Sequence, residues 1–277
     1  RGYRLQHIVV GKDDRVRQTQ IIDLRSRPMV HDCAITENYV LILDLSITFN
    51  WFRLARGYFP MAWNDKHQAR IGLLNRKKAA AEIKWFDIDP CYIFHPVNAY
   101  ENTVGNVVFD AMRYQRLFDK DRNGPFTESP PLLTRWQLDL AKGTAHQQQL
   151  DDKAAEFPRI HPGLEGQAHR FGYVLGLGPS ALTPDFDSII KYDFTKDRSE
   201  VHQFGADKIG AEPVFVPAEQ AESEDQGYLL SYVFDRSSNK SSLEIFNAQD
   251  LRSGPVAEIK LPQRIPFGFH GSWVPAA

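Results

Sequence analysis

Two cysteines, Cys33 and Cys91, are all that 277 residues contain. They are too few and too far apart for a disulfide framework or a thiolate metal site, which suits a reducing compartment. No apolar run approaches the roughly 18 residues that a membrane span needs, and the N-terminal R-G-Y-R-L-Q is no signal peptide. The expectation is a soluble, cytoplasmic protein. Charge of one sign is lacking too: 33 Lys and Arg stand against 35 Asp and Glu, a net charge of -2. That leaves no basic footprint and excludes a nucleic-acid partner. Amphipathic helical stretches are scarce; 151–156 and the segment around His67 promise short turns at most. The glycines of L-G-L-G-P (175–179) lack the third glycine and following helix of a nucleotide loop, and read as a strand-end turn.

Strand signals are abundant. Apolar, β-branched and aromatic runs lie at 39–45, 106–110, 171–177 and 227–234, each bounded by Gly or polar residues. Between them come aromatic-rich hairpins with polar turns, at 135–144, 190–199 and 243–255, and 84–90 has the same character. With 42% apolar residues the chain can bury a substantial core. A lone His or Glu opens an apolar strand five times: His31, His95, Glu156, Glu212 and His270, at steps of 64, 61, 56 and 58 residues. About five units of four short antiparallel strands each read as a β-propeller, whose inner strands line a central axis. Such a fold brings five side chains, spread over most of the sequence, into one ring as a single domain, 1–277.

Three imidazoles on such an axis suit Zn, Cu, Fe or Ni, so histidine alone does not name the metal. Each glutamate has two available jobs: to ligate directly, or to accept the second ring N–H of a ligating histidine and so fix its tautomer. The second is the more economical. The other histidines, at 7, 67, 146, 161, 169 and 202, recur at no comparable place in the repeat and read as surface or loop residues, with His161 the nearest to a motif. The stretch F-N-W-F-R-L-A-R-G-Y-F-P-M-A-W (49–63) is aromatic and basic together, and reads either as outer packing or as a peripheral membrane contact.

The motifs M-V-H-D-C-A-I-T-E-N-Y (29–39), F-H-P-V-N-A-Y-E (94–101), E-F-P-R-I (156–160), E-P-V-F-V-P (212–217) with D-Q-G-Y-L-L (225–230), and P-F-G-F-H-G-S-W-V-P (266–275) are together similar to those of the carotenoid cleavage oxygenases, carotenoid-, apocarotenoid- and stilbene-cleaving enzymes. The resemblance covers essentially the whole chain. It implies a seven-bladed propeller carrying Fe(2+) on four histidines, of which His31, His95 and His270 match the second, third and fourth. It implies that Glu156 supports His95 and Glu212 supports His270. The first histidine and a partner for His31 are expected upstream, with two further blades on the order of 120 residues.

By the same resemblance, O2 adds across one double bond of a polyene to give two carbonyl products, with no side chain acting as acid or base beyond the metal ligands. A lignostilbene-type substrate is the alternative within this chemistry. An inactive or ligand-binding propeller fragment is the alternative outside it. Three positions depart from the family pattern: Cys33, Pro96 and Asn102. None removes a ligand, and Pro96 restricts His95 to an extended backbone that a strand entry tolerates.

Overall fold

The computed structural model describes residues 3–78, 80–122, 128–178 and 185–275. The chain opens with a hairpin of β1 (Tyr3–Val10) and β2 (Val16–Leu24). Next come β3 (Ala34–Ile35), β4 (Tyr39–Asp44), a small hairpin of β5 (Ile47–Phe49) and β6 (Met61–Trp63) that encloses helix α1 (Trp51–Ala55), then β7 (Arg70–Asn75) and β8 (Lys84–Asp87). Strands β3, β4, β7 and β8 pair in that order, antiparallel throughout.

A second meander follows in β9 (Tyr92–Glu101), β10 (Val107–Tyr114), β11 (Pro131–Asp139) and β12 (Thr144–Arg159). The long β12 pairs with β11 through its first half and with β13 (Phe171–Leu177) through its second, and β14 (Phe186–Asp193) and β15 (Arg198–Gln203) extend the third sheet. The fourth sheet holds β16 (Lys208–Gly210), β17 (Val214–Pro217), β18 (Gly227–Asp235), β19 (Lys240–Asn247) and β20 (Pro255–Lys260), with β16 and β17 both pairing to β18.

Face-to-face stacking of these sheets explains why the strands read as continuous apolar runs rather than alternating ones. In β4, Leu41 and Leu43 join the core shared with Phe109 and Trp136 of the second sheet. Val40 and Ile42, on the opposite face, pack with Ile22 of the first hairpin. The second and third sheets meet through Met112 and Leu133 against Val174 and Ile190. The third and fourth meet through Tyr173 and Leu175 against Leu229 and Phe246.

Each of the four sheets also buries a carboxylate against a cation. Asp44 accepts from Arg70 at 2.8 Å, Asp110 from Arg135 through two bonds of 2.8 Å, Asp193 from Arg170 at 2.9 and 2.7 Å, and Glu244 from Lys208 at 2.7 Å. The paired geometry offsets the desolvation of each charge.

The architecture is all-β, with one five-residue α-helix among the described residues. Four sheets, two of them joined through β12 into seven continuous strands, and two two-stranded hairpins stand where five equal units are expected, and among the described residues they do not close a ring. The five residues also differ in their setting. His31 precedes β3, His95 lies on β9, Glu156 on β12 and Glu212 just before β17, but His270 follows β20 in an irregular segment and opens no strand.

Segment 151–156 is strand rather than turn: Ala154 pairs with Leu132 of β11, and Ala155 and Glu156 pair with Gly176 and Leu175 of β13. The helix appears instead at Trp51–Ala55, where the Asn50 side chain accepts from the Arg53 N–H at 3.0 Å and caps it. Of L-G-L-G-P, Leu175–Leu177 close β13, the Gly178 N–H donates to the Asp185 carbonyl at 2.7 Å, and Pro179 lies outside the described residues.

Candidate metal centre

His95 is delivered by an irregularity in β9. The pairing of β9 with β10 slips between Asp110 and Ala111 and again before Arg113. Such bulges re-aim a side chain relative to the regular alternation, and a proline is tolerated there because no ladder N–H is needed from it. Pro96 sits at this slip, opposite Ala111. The His95 side chain is largely buried, and its Nδ1 meets Glu156 Oε2 at 2.6 Å.

Glu156 lies on β12, whose pairing with β13 is itself interrupted between Glu156 and Arg159. Phe157, in that interruption, has a positive φ of 52°. For a bulky residue this conformation costs of order 1–3 kcal/mol and persists only where the surroundings hold it. Here they do. The Phe157 N–H donates to Glu156 Oε2 at 2.8 Å, and its ring stacks on His95 with centroids 5.0 Å apart and stands edge-on to His270 at 5.6 Å.

His270 comes from the irregular segment beyond β20. Its Nδ1 meets Glu212 Oε1 at 3.0 Å. Glu212 Oε2 accepts from the Gly271 N–H at 2.7 Å and from Arg159 Nη2 at 2.8 Å, and the same Nη2 donates to the Gly271 carbonyl at 2.6 Å. His31, just ahead of β3, lies edge-on to Phe94 at 5.1 Å and to His95 at 5.3 Å. Among the described residues no carboxylate is hydrogen-bonded to it.

The three imidazoles converge, with ligand nitrogens all within 4.8 Å of one another. The His95 ring crosses those of His31 and His270 at 77° and 83°. With Nδ1 of His95 and of His270 committed to a carboxylate, Nε2 is the nitrogen that each can offer to a metal. This donor set fits a borderline first-row ion such as Fe, Zn or Cu.

Burial, and then the nearby His95, pushes the His31 pKa down, which favours the neutral ring that metal binding requires. Burial also opposes charge on His95, but the hydrogen bond and charge of Glu156 outweigh it, so the net shift is upward. Tyr114, fully buried beside Glu156, is raised well above the ordinary phenol range by burial and by that carboxylate.

A cavity of about 1780 Å³ opens over the cluster, walled by Phe94, Phe157, Ile160, Phe215 and Trp273 among others. Its volume exceeds that of typical drug-sized sites, and its apolar wall suits a long hydrophobic ligand.

The remaining histidines stay away from the cluster, but two depart from the surface reading. His67 is buried and its Nε2 meets Asp44 Oδ1 at 2.7 Å, a partner 23 residues away that no local pattern announces. His169 packs against Tyr100 and Phe194, and its Nδ1 accepts from Asn98 Nδ2 at 3.1 Å. His146 is exposed. His161 caps a 3₁₀ turn over Pro162–Leu164 by accepting from the Gly163 N–H. In 49–63, Trp51 and Phe52 are 63% and 75% exposed, and α1 buries no side chain. Sequence reasoning missed Arg159 and Phe157, although both stand in the quoted E-F-P-R-I motif, because their role depends on a left-handed backbone and on residues more than 50 positions away.

Stacked antiparallel sheets with converging imidazoles under an apolar cavity define a candidate metal centre, and relatives carry the assignment further. The chain belongs to the retinal pigment epithelial membrane protein family, whose model matches residues 2–275. It is 37% identical to a carotenoid cleavage oxygenase of Mycobacterium tuberculosis, over 99% of this chain and 64% of that protein. It is 30% identical to the apocarotenoid-15,15'-oxygenase of Synechocystis, over 88% and 51%, and 30% identical to an isoeugenol monooxygenase of Pseudomonas nitroreducens, over 98% and 60%.

A crystal structure of cobalt-substituted Synechocystis apocarotenoid oxygenase superposes with a TM-score of 0.89 at 26% identity, covering 99% of this chain and 58% of that one. The chain therefore spans between 51% and 64% of these three curated relatives.

Proposed function

We propose that the chain is part of a non-haem Fe(II) dioxygenase that splits one C=C bond of a carotenoid or apocarotenoid with O2, each product fragment receiving one oxygen atom as a carbonyl. One observation carries the reading: His95 and His270 are each locked by a buried glutamate so that Nε2 remains for a metal, directly beneath a large apolar cavity. His31, His95 and His270 would hold the iron. Iron, when bound, supplies the centre at which dioxygen is activated. Further blades of a seven-bladed ring, and the fourth histidine, would come from outside this chain, in keeping with the greater length of its relatives.

The chain's own residues have distinct tasks in this reading. Glu156 and Glu212 fix the tautomer of their histidines and raise the basicity of the ligating nitrogen. Phe94 and Phe157 pack against the rings of His31 and His95 and help to hold them in place. The cavity holds an extended polyene in one register, so that a single bond lies beside the cluster, and positioning of this kind supplies much of the rate in enzymes that make no acid–base contribution. The exposed aromatic and basic surface at 49–63 would rest on a membrane as a peripheral contact through which the substrate arrives. No helix among the described residues is long and apolar enough to cross one.

A second reading rests on the isoeugenol monooxygenase relative: a phenolic substrate with a short conjugated side chain, including a hydroxylated stilbene, cleaved by the same chemistry. The test is to express the complete protein, measure bound metal, and follow aerobic cleavage of an apocarotenal and of a hydroxylated stilbene by mass spectrometry. Iron at one per chain with apocarotenal cleavage supports the first reading, and stilbene cleavage alone supports the second. Absence of both metal and cleavage leaves a non-catalytic apolar-ligand binder, and cleavage that survives His95→Ala overturns the metal site. Liposome co-sedimentation unchanged by Trp51→Ser with Phe52→Ser removes the membrane contact.

A further inference from the structure

His95 arrives on a strand, β9, that is laddered to β10, but His270 arrives on none. The segment that carries it has no strand of its own, and the His270 side chain is 49% exposed. Upstream of it the segment is tied to the fourth sheet by the Leu261 and Ile265 N–H groups, which donate to the Ser241 carbonyl and hydroxyl, and by the Phe267 ring edge-on to Phe234. At His270 itself the hold is polar.

Arg159, Glu212, His270 and Gly271 form a closed circuit. Arg159 Nη2 donates both to Glu212 Oε2 and to the Gly271 carbonyl, the Gly271 N–H donates to the same Oε2, and Oε1 faces His270 Nδ1. Removing the guanidinium from this circuit leaves Glu212, whose side chain is 4% exposed, without its cation and the Gly271 carbonyl without its donor.

We propose that Arg159 is a positioning residue for His270, acting through Glu212 and the Gly271 backbone. Its place in the chain gives the assignment a second support. Arg159 lies three residues after Glu156 on β12, across the left-handed Phe157. One short bulge therefore emits both the carboxylate that fixes His95 and the guanidinium that fixes the carboxylate of His270. The two ligand arms, 175 residues apart in sequence, share one anchor. Arginine suits the position because its planar fork can meet a carboxylate and a carbonyl at once, which a lysine ammonium does with less geometric definition.

The inference rests on the metal reading above, and its test separates the two. In the complete protein, Arg159→Met, Arg159→Lys and, as a control on a buried ion pair elsewhere, Arg135→Met are compared for Co(II) affinity by competition titration, for the visible Co(II) spectrum, and for limited proteolysis within 266–275. Arg159→Met is expected to weaken Co(II) binding by about 10- to 100-fold, the usual cost of losing an outer partner of a ligand, to alter the spectrum, and to speed cleavage of the C-terminal segment. Arg159→Lys is expected to restore part of each. Arg135→Met is expected to lower thermal stability with Co(II) affinity unchanged.

Wild-type affinity and proteolysis in Arg159→Met, or an equal loss of Co(II) in Arg135→Met, overturns the assignment. If the wild-type protein takes up no metal, it is the functional reading that fails. The rate of proteolysis then still decides whether Arg159 holds the segment.

Discussion

Two histidine–carboxylate pairs in this protein are nearly the same length and serve different ends. His67 meets Asp44 at 2.7 Å and His95 meets Glu156 at 2.6 Å. Around the first, everything is closed: Arg70 takes the other oxygen of Asp44 at 2.8 Å, its guanidinium lies 3.8 Å from the Trp85 ring centroid, and Leu43 and Ile71 beside them belong to the core. Around the second, two further imidazoles converge and a cavity opens. A short bond to a carboxylate therefore does not mark a metal ligand. What marks it is that the pair leaves the other ring nitrogen facing its own kind.

The sharpest way to break this comparison is to truncate both rings. His95→Ala is expected to abolish stoichiometric metal retention, read by elemental analysis after desalting. His67→Ala is expected to keep the metal and to lose about 2 kcal/mol of stability in urea unfolding, the usual worth of a hydrogen bond to a charged group. Equal metal loss in the two would dissolve the distinction.

Exchanging the acceptors probes the same contrast more gently. Glu156→Gln is expected to weaken metal binding by about 10- to 100-fold. Asp44→Asn is expected to leave binding intact while costing about 3 kcal/mol, because Arg70 is left buried without its counter-charge.

His169 supplies the third and smallest effect, as a partly buried ring with no carboxylate in hydrogen-bond contact among the described residues. Burial pushes its pKa down to about 4, against about 6.5 for an unfolded histidine. The unfolded chain therefore takes up the proton first, and stability is lost as pH falls from about 6.5 toward 4. Urea melts across that window should show a shallower pH slope in His169→Gln, which can still accept from Asn98. An unchanged slope would show that the proton goes elsewhere.

Much of this molecule was legible before its structure. Phe171–Leu177 and the start of Gly227–Asp235 fall where apolar runs bounded by glycine and polar residues predict them. The motif residues could be picked out because a lone His or Glu recurs at nearly even steps, although the sheets do not divide into five equal units. The failures share a cause. Segment 151–156 has the composition of a helical turn, but tertiary pairing overrides weak local preference. His67 and His169 do lie in loops, but their inward packing stayed hidden because their partners lie 23 and 71 residues away. Arg159 went unremarked since nothing in E-F-P-R-I shows that the backbone turns left-handed at Phe157 and sends the arginine toward Gly271, 112 residues on.

Strand β12 works as a ruler. Its first half is registered against β11 by pairs from Leu138 with Ala145 to Thr134 with Gln149, and the side chains that matter stand at its far end. The pairing shifts register between Gln149 and Ala154, and side-chain direction alternates beyond that shift, so loss of Ala155 would turn Glu156 and Arg159 together onto the wrong face. Both ligand supports would be lost in a single event, however mild the deleted residue. The end of this strand can change its spelling but not its length, whereas the shift at 150–153 is where a change of length can be absorbed.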